Sequence, residues 1–294
     1  MRHSVTLPTD LAGACRAIAE RPEYLIVAGG TDIMVPVNDG RIDPPGWIGL
    51  RHIDEIGRID GLSIGAGVTF STIERTMGRV VPALVEAART VGSPQIRNAA
   101  TLGGNVATAS PAGDSLPVLV CYDALVELVS VRGSRSLRLT DYLVGPKRTA
   151  QAPDELIAAI HLQHVSGAQA FAKVGLRNAM TIAVCSLAVR LDRDAGHARV
   201  ALGSVGPVVI RAEHAERLLI ERAPVGEFAD AVADASQPID DHRSTAAYRR
   251  HAVRVLATRM HAWVHGSSPR GPGLHPPASD DVRGPSTGGG GTHG

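Results

Sequence analysis

Aromatic residues make up only 3% of this chain, so its cores must be packed from Val, Ile, Leu and Ala. Cysteine is scarce as well. Cys15, Cys121 and Cys185 lie far apart, without C-x-x-C spacing, in apolar runs where a thiol behaves as a small hydrophobe. Three scattered thiols exclude an iron–sulfur cluster, which typically takes four. No charge of one sign prevails: 30 Lys and Arg stand against 29 Asp and Glu, a net charge of +1, which speaks against a nucleic-acid or anionic-membrane surface. No run of about 18 apolar residues occurs, so no membrane span is expected. The opening MRHSVTLPTDLAGACRAIAE lacks the apolar stretch and small-residue cleavage site of a signal peptide, and a cytoplasmic location is expected.

What is present is length and glycine. The 294 residues suffice for about two domains, each with its own core. Gly (32) and Pro (19) are frequent, which together with aliphatic packing favours an α/β or α+β chain. Thr9 or Asp10 can cap a helix through Glu20 that puts Leu11, Ala14, Cys15 and Ile18 on one face. The run Leu25, Ile26, Val27 reads as a strand ending in a glycine loop, followed by apolar Ile33, Met34 and Val35. Residues 47–50 and 62–66 read as further strands and 80–91 as a helix. Residues 92–114, GSPQIRNAATLGGNVATASPAGD, have neither helical nor strand periodicity, and so long a loop in a compact domain is usually functional. Residues 115–124 predict a helix and 125–131 a strand, with 136–139 able to pair back onto it.

A second unit is expected from about residue 165. Segments 168–174, 182–191 and 199–205 predict three strands, and 211–221, 225–235 and 244–264 three helices. From Gly266 onward the chain is too poor in apolar residues to offset ordering entropy, and a disordered tail is expected.

Two loops carry the chemistry. In Ala28-Gly29-Gly30-Thr31-Asp32, successive glycines let backbone N–H groups turn toward an anion, and Thr31 adds a hydroxyl; a tight turn needing positive φ explains the same residues. The second loop supplies Thr101, Gly103, Gly104, Asn105, Thr108, Ser110 and Asp114, small donors plus one carboxylate suited to phosphates and sugar-like hydroxyls, or to self-capping in a surface loop. Neither is a G-x-G-x-x-G or G-x-x-x-x-G-K-[ST] loop. His261 and His265 have helical i, i+4 spacing compatible with a metal, but no third ligand accompanies them. No nucleophile or acid/base pair stands out.

Ala28 to Asp32, then Gln95-Ile96-Arg97-Asn98 leading into Thr101-Leu102-Gly103-Gly104-Asn105 and Ala109-Ser110-Pro111-Ala112-Gly113-Asp114, resemble the FAD-binding subunit of molybdenum hydroxylases, the xanthine dehydrogenase and carbon monoxide dehydrogenase medium-chain family. The similarity runs on through Leu143-Val144-Gly145-Pro146, Asp154-Glu155-Leu156-Ile157, Phe171 with Lys173, and Ala201-Leu202-Gly203-Ser204-Val205, covering about residues 1–265. It implies an α+β chain: a two-part FAD-binding domain of the vanillyl-alcohol oxidase (PCMH) type at 1–164, with subdomains of about 1–55 and 56–164. A smaller domain with a three-stranded antiparallel sheet and a helical bundle would follow at 165–265.

The resemblance further implies that Ile26, Val27, Ala28, Gly29, Gly30, Thr31, Asp32 and Ile33 wrap the FAD pyrophosphate. Thr101, Gly104, Asn105, Thr108 and Ser110 would complete the diphosphate and ribityl contacts, and Asp114 would accept from a ribose or ribityl hydroxyl. Leu156 and Lys173 match later family positions near the cofactor; Lys173 would sit by the flavin or be an exposed strand lysine. The implied partners are a small subunit with two 2Fe–2S clusters and a large molybdenum-cofactor subunit, in a dimer of heterotrimers. A self-sufficient flavin oxidase or reductase and a cofactor-free scaffold subunit are the competing readings.

Overall fold

The computed structural model of the chain describes residues 4–266, so all of the expected disordered tail except Gly266 lies outside the described residues. The chain is a mixture of helices and strands in which two hydrophobic cores share one sheet between them.

The first three strands form a parallel sheet in the order β1 (Ser4–Thr6), β3 (Gly46–Gly49), β2 (Leu25–Val27). Parallel strands need a crossover, and α1 (Leu11–Glu20) carries the chain from β1 to β2, on the two sides of β3. Asp10 caps α1, its carboxylate accepting the Gly13 N–H at 2.5 Å, and Ala14, Cys15, Ala17 and Ile18 are the face it buries. The apolar residues after the first glycine loop become a short helix, α2 (Met34–Asn38).

A five-stranded antiparallel sheet follows in the order β4 (Ile59–Asp60), β5 (Ser63–Gly65), β10 (Leu156–His161), β6 (Leu125–Ser130), β7 (Gly133–Arg138). The chain between β5 and β6 folds as five helices: α3 (Phe70–Thr76), α4 (Pro82–Thr90), α5 (Pro94–Ala99), α6 (Leu102–Thr108) and α7 (Ser115–Cys121). The stretch 92–114, expected as a loop, thus contains two helices of six and seven residues. They are too short to show an apolar period. Instead Ser93 Oγ accepts the Ile96 N–H and Thr101 Oγ1 the Gly104 N–H, so each is set by its N-cap. Beyond α8 (Leu139–Tyr142), the hairpin β8 (Leu143–Gly145) and β9 (Arg148–Thr149) projects its Pro146-Lys147 turn.

The last sheet runs β11 (Ala168–Val174), β12 (Cys185–Asp192), β13 (His197–Gly203), β14 (Ile210–Arg211). It has four strands rather than the expected three, because Arg211 pairs with Ala201 in β14 instead of opening a helix. That helix, α9, spans Glu213–Ile220 and is followed by α10 (Val225–Ala235) and α11 (Ala246–Val264). One face of this sheet packs on the first core through Phe171, Ala188 and Ala201, and the other on the three helices through Leu187, Val189, Val200 and Leu202. Strand β12 is consequently buried on both faces.

Arg190, on the first-core side of β12, is 1% exposed. Its Nε donates to the Cys121 carbonyl at the end of α7 (2.9 Å), and its Nη2 bonds His197 Nδ1. Burial and the nearby Arg199 and Arg190 charges lower the His197 pKa, keeping that ring an acceptor for the guanidinium. A cation on the last carbonyls of a helix is electrostatically favourable, which is why this arginine is tolerated inside. The three cysteines are buried and unpaired.

Candidate cofactor-binding site

The two glycine loops meet. A Cβ placed at Gly29 would fall 1.9 Å from the Ala99 carbonyl oxygen, so the first loop lies directly on the end of α5, and only glycine fits there. Behind the second loop, the Gly103 N–H donates to the Ala66 carbonyl (2.9 Å) and a Cβ there would strike the Ala66 side chain at 2.4 Å, which seats α6 against the chain leaving β5. Thr108 Oγ1 donates to Asp32 Oδ2 at 3.4 Å, tying one loop to the other. Arg97 ties the start of α5 down, donating to Glu74 Oε2 (3.2 Å) and to the Val91 and Gly92 carbonyls.

Together the loops wall a cavity of about 1280 Å³. Ile26, Ala28, Gly29, Gly30, Thr31, Asp32, Ile33, Thr101, Gly104, Asn105, Thr108, Ser110 and Asp114 line it. Three of the residues that the resemblance assigns to the cofactor do not. Val27 alternates to the opposite side of β2 from Ile26 and lines a separate apolar hollow with Trp47 and Val37. Leu156 lies in the first core opposite Val129. Lys173 stands behind the wall rather than on it, and it is not an exposed strand lysine, for its side chain is 8% accessible.

Lys173 is held by Asp114. Its ammonium donates to Asp114 Oδ2 at 2.5 Å and to the Thr90 and Thr181 carbonyls at 3.0 Å each, which uses all three N–H donors. Thr90 Oγ1 also donates to Asp114 Oδ2 (3.0 Å), whereas the buried Oδ1 has no hydrogen-bond partner among the described residues. Burial raises the Asp114 carboxyl above its ordinary range, and the Lys173 ammonium and Thr90 hydroxyl draw it back part of the way.

The second unit supplies the far side of the cavity, through Thr181, Ile182, Ser204, Gln237, Ile239, Asp241, Arg243 and Arg249, none of which the sequence marked as site residues. Arg249, 3% exposed on α11, donates to the Val184 and Ser204 carbonyls and to Asp241 Oδ1 (2.5 Å). Burial alone would raise the Asp241 carboxyl, but the Arg243 N–H, the Arg249 guanidinium and the Ser244 N–H outweigh it and hold the carboxyl well below the usual carboxylate range. A carboxyl lowered by folding contributes stability that is complete above its unfolded value, about 4, and is lost as pH falls through the native one. Asp241→Asn is therefore expected to flatten the acid limb of the stability curve below about pH 4, checked by urea midpoints across pH; an unchanged limb would place the acid sensitivity elsewhere.

The His261 and His265 rings touch in a tilted arrangement with centroids 4.4 Å apart, and Arg193 Nη2 donates to His265 Nδ1 at 2.6 Å. Burial, helped by the neighbouring His261 and Arg193 charges, lowers His265 to about 4. No group of three metal-ligating side chains occurs among the described residues.

The residues present suit FAD. The N–H groups of Gly29, Gly30 and Thr31 donate to nothing among the described residues, which leaves three donors free for an anion at the wall of the cavity. The second loop adds the hydroxyl and amide donors that a ribityl chain requires, and Asp114 has an unmatched acceptor.

Residues 1–163 match the family model described as the FAD binding domain in molybdopterin dehydrogenase, and residues 170–264 that of the CO dehydrogenase flavoprotein C-terminal domain. The chain belongs to this family, the FAD-binding subunits of molybdenum hydroxylases. It is 29% identical over 270 residues to the xanthine dehydrogenase FAD-binding subunit of Escherichia coli O157:H7, covering 85% of this chain and 91% of that one. It is 36% identical over 211 residues to the nicotinate dehydrogenase FAD-subunit of Eubacterium barkeri, covering 66% and 71%. In structure it is similar to a chain of carbon monoxide dehydrogenase from Hydrogenophaga pseudoflava, with a TM-score of 0.81, 25% identity and coverage of 90% and 98%. Such relatives are FAD-dependent oxidoreductase subunits, and this flavoprotein subunit is one of them. No helix among the described residues is long and apolar enough to cross a membrane.

Proposed function

We propose that this subunit holds one FAD in the cavity between its two units and relays electrons from the iron–sulfur clusters of a small partner subunit to an acceptor, the substrate being oxidised at molybdenum on a large subunit. The observation that carries the reading is the convergence of the two loops on one cavity, whose lining combines the free N–H donors of the first loop with the anchored Asp114 of the second. When bound, FAD supplies the redox chemistry that the side chains themselves lack. The residues bind and orient. In this reading Gly29, Gly30 and Thr31 present N–H groups and a hydroxyl to the diphosphate. Thr101, Gly104, Asn105, Thr108 and Ser110 complete the diphosphate and ribityl contacts, and Asp114 accepts from a ribose or ribityl hydroxyl. Lys173 is a positioning residue here: it fixes the Asp114 carboxylate from behind.

The domain division that goes with this reading is a two-part domain of the vanillyl-alcohol oxidase (PCMH) type at 1–164 and a second domain at 165–265. The assembly is a dimer of heterotrimers, and the location is cytoplasmic, in keeping with three buried and unpaired thiols. The absorption spectrum of the purified chain, alone and co-expressed with its partner subunits, tests the cofactor. About one acid-releasable FAD per chain is expected; a folded, colourless protein in both preparations would overturn the reading and leave a scaffold role.

A further inference from the structure

We propose that Lys147 is a binding residue for the cofactor's diphosphate, a role carried by a side chain outside both glycine loops; the inference rests on the FAD reading above. Lys147 occupies the turn of the β8–β9 hairpin and lines the same cavity. Its backbone is left-handed, at φ +54°, a conformation that favours glycine and that a lysine adopts only against steric resistance. The turn is pinned in that state, because the Lys147 N–H donates to the Ala109 carbonyl at 3.0 Å, and Ala109 is itself left-handed at φ +46° where α6 ends. Strain retained at a cavity wall points to a use for the side chain.

Charge indicates the use. Of the cations on the cavity wall, Arg243 and Arg249 share Asp241, at 3.0 and 2.5 Å. Lys173, behind the wall, is spent on Asp114. Lys147 is exposed, and its ammonium makes no hydrogen bond or ion pair among the described residues. It is also placed at the right end of the cavity: Ala109 adjoins Thr108, whose hydroxyl reaches Asp32 in the first loop, next to the free N–H groups of Gly29 to Thr31. Asp32 is the carboxylate nearest along this path, and its Oδ2 accepts from Thr108. A diphosphate in the first loop would thus meet the neutral N–H donors of that loop and a full positive charge from the hairpin.

The test is the affinity of the full-length apo chain for FAD, followed by quenching of flavin fluorescence at low and high salt, in the wild type, Lys147→Gly and Lys147→Arg. Glycine relieves the backbone by more than its own entropy costs, so the thermal midpoint of apo Lys147→Gly should rise by roughly 1–2 °C. Its FAD affinity should nevertheless fall about ten-fold at low salt, and the gap should close at about 0.5 M salt as the charge is screened. Lys147→Arg should stay within about two-fold of wild type at both salt concentrations. If Lys147→Gly binds FAD as tightly as wild type at low salt, or if its deficit is independent of salt and shared by Lys147→Arg, the proposal is wrong. A wild-type chain that binds no FAD would instead defeat the underlying cofactor reading.

Discussion

Lys173→Met is expected to lower the free energy of unfolding by about 3–5 kcal/mol, the range seen when one partner of a buried ion pair is removed. Both members are enclosed here, at 8% and 7% side-chain exposure, so water cannot replace the lost ammonium. Asp114 would keep a single hydrogen bond, from Thr90, while its Oδ1 is already without a partner and the Thr90 and Thr181 carbonyls lose their donor. The pH dependence follows from the direction of the Asp114 shift. Burial already raises that carboxyl, and without Lys173 it rises further. An acid whose native value lies above its unfolded one contributes stability at low pH that is lost as pH rises, so the deficit of Lys173→Met should be smaller at pH 5 than at pH 8. Adding Asp114→Asn removes the stranded charge and should recover a large part of the loss, a coupling that a double-mutant cycle by urea denaturation measures directly. A single-variant loss under about 1 kcal/mol, flat with pH, would mean that the pair is solvated in the native protein.

The elements legible in the sequence are those whose signal is local. Helix α1 is readable from a Thr9 or Asp10 cap followed by an apolar face, of which the structure uses Asp10, and α10 is expected over the same residues, 225–235, that the structure shows. Strand β2 was readable because a β-branched run stops at a glycine pair. The glycine loops stood out for the reason that they matter: backbone passes within contact distance of backbone at Gly29 and Gly103. Helices α5 and α6 were not readable, since six or seven residues held by Ser93 and Thr101 caps carry no apolar period. The wall contributed by the second unit was invisible for another reason. Arg249 reads as a solvated residue of a helix and Asp241 as part of a polar turn, and only the packing of α11 against β12 brings them to the cavity. Arg190 hides in the same way, as a charge within a strand that is buried on both faces. Lys173 lay between two readings in the sequence, and the Asp114 pair that decides its position spans 59 residues of chain.

The largest effect on cofactor retention should come from one methyl group. In Gly29→Ala the new Cβ would stand 1.9 Å from the Ala99 oxygen and 2.5 Å from its carbonyl carbon, backbone atoms that cannot rotate away as a side chain could. The first loop must lift off α5, and the movement separates the two halves of the wall, because Ala99 directly precedes the Ala100-Thr101 entry into α6. Overpacking of this kind costs about 1–3 kcal/mol or somewhat more. The expected loss of FAD affinity is greater, on the order of 100-fold, because a diphosphate held by backbone N–H groups depends on their direction as well as their presence, and charge-assisted hydrogen bonds weaken steeply when misaligned. Gly226→Ala serves as the matched control: nothing lies within 4 Å of its added Cβ, it is in α10, and it should be neutral or stabilising by about 0.5–1 kcal/mol with FAD content unchanged. Gly29→Ala retaining stoichiometric FAD with near-wild-type affinity would show that the loops can part without losing the cofactor, and the contact at Ala99 would then be a packing feature of the fold alone.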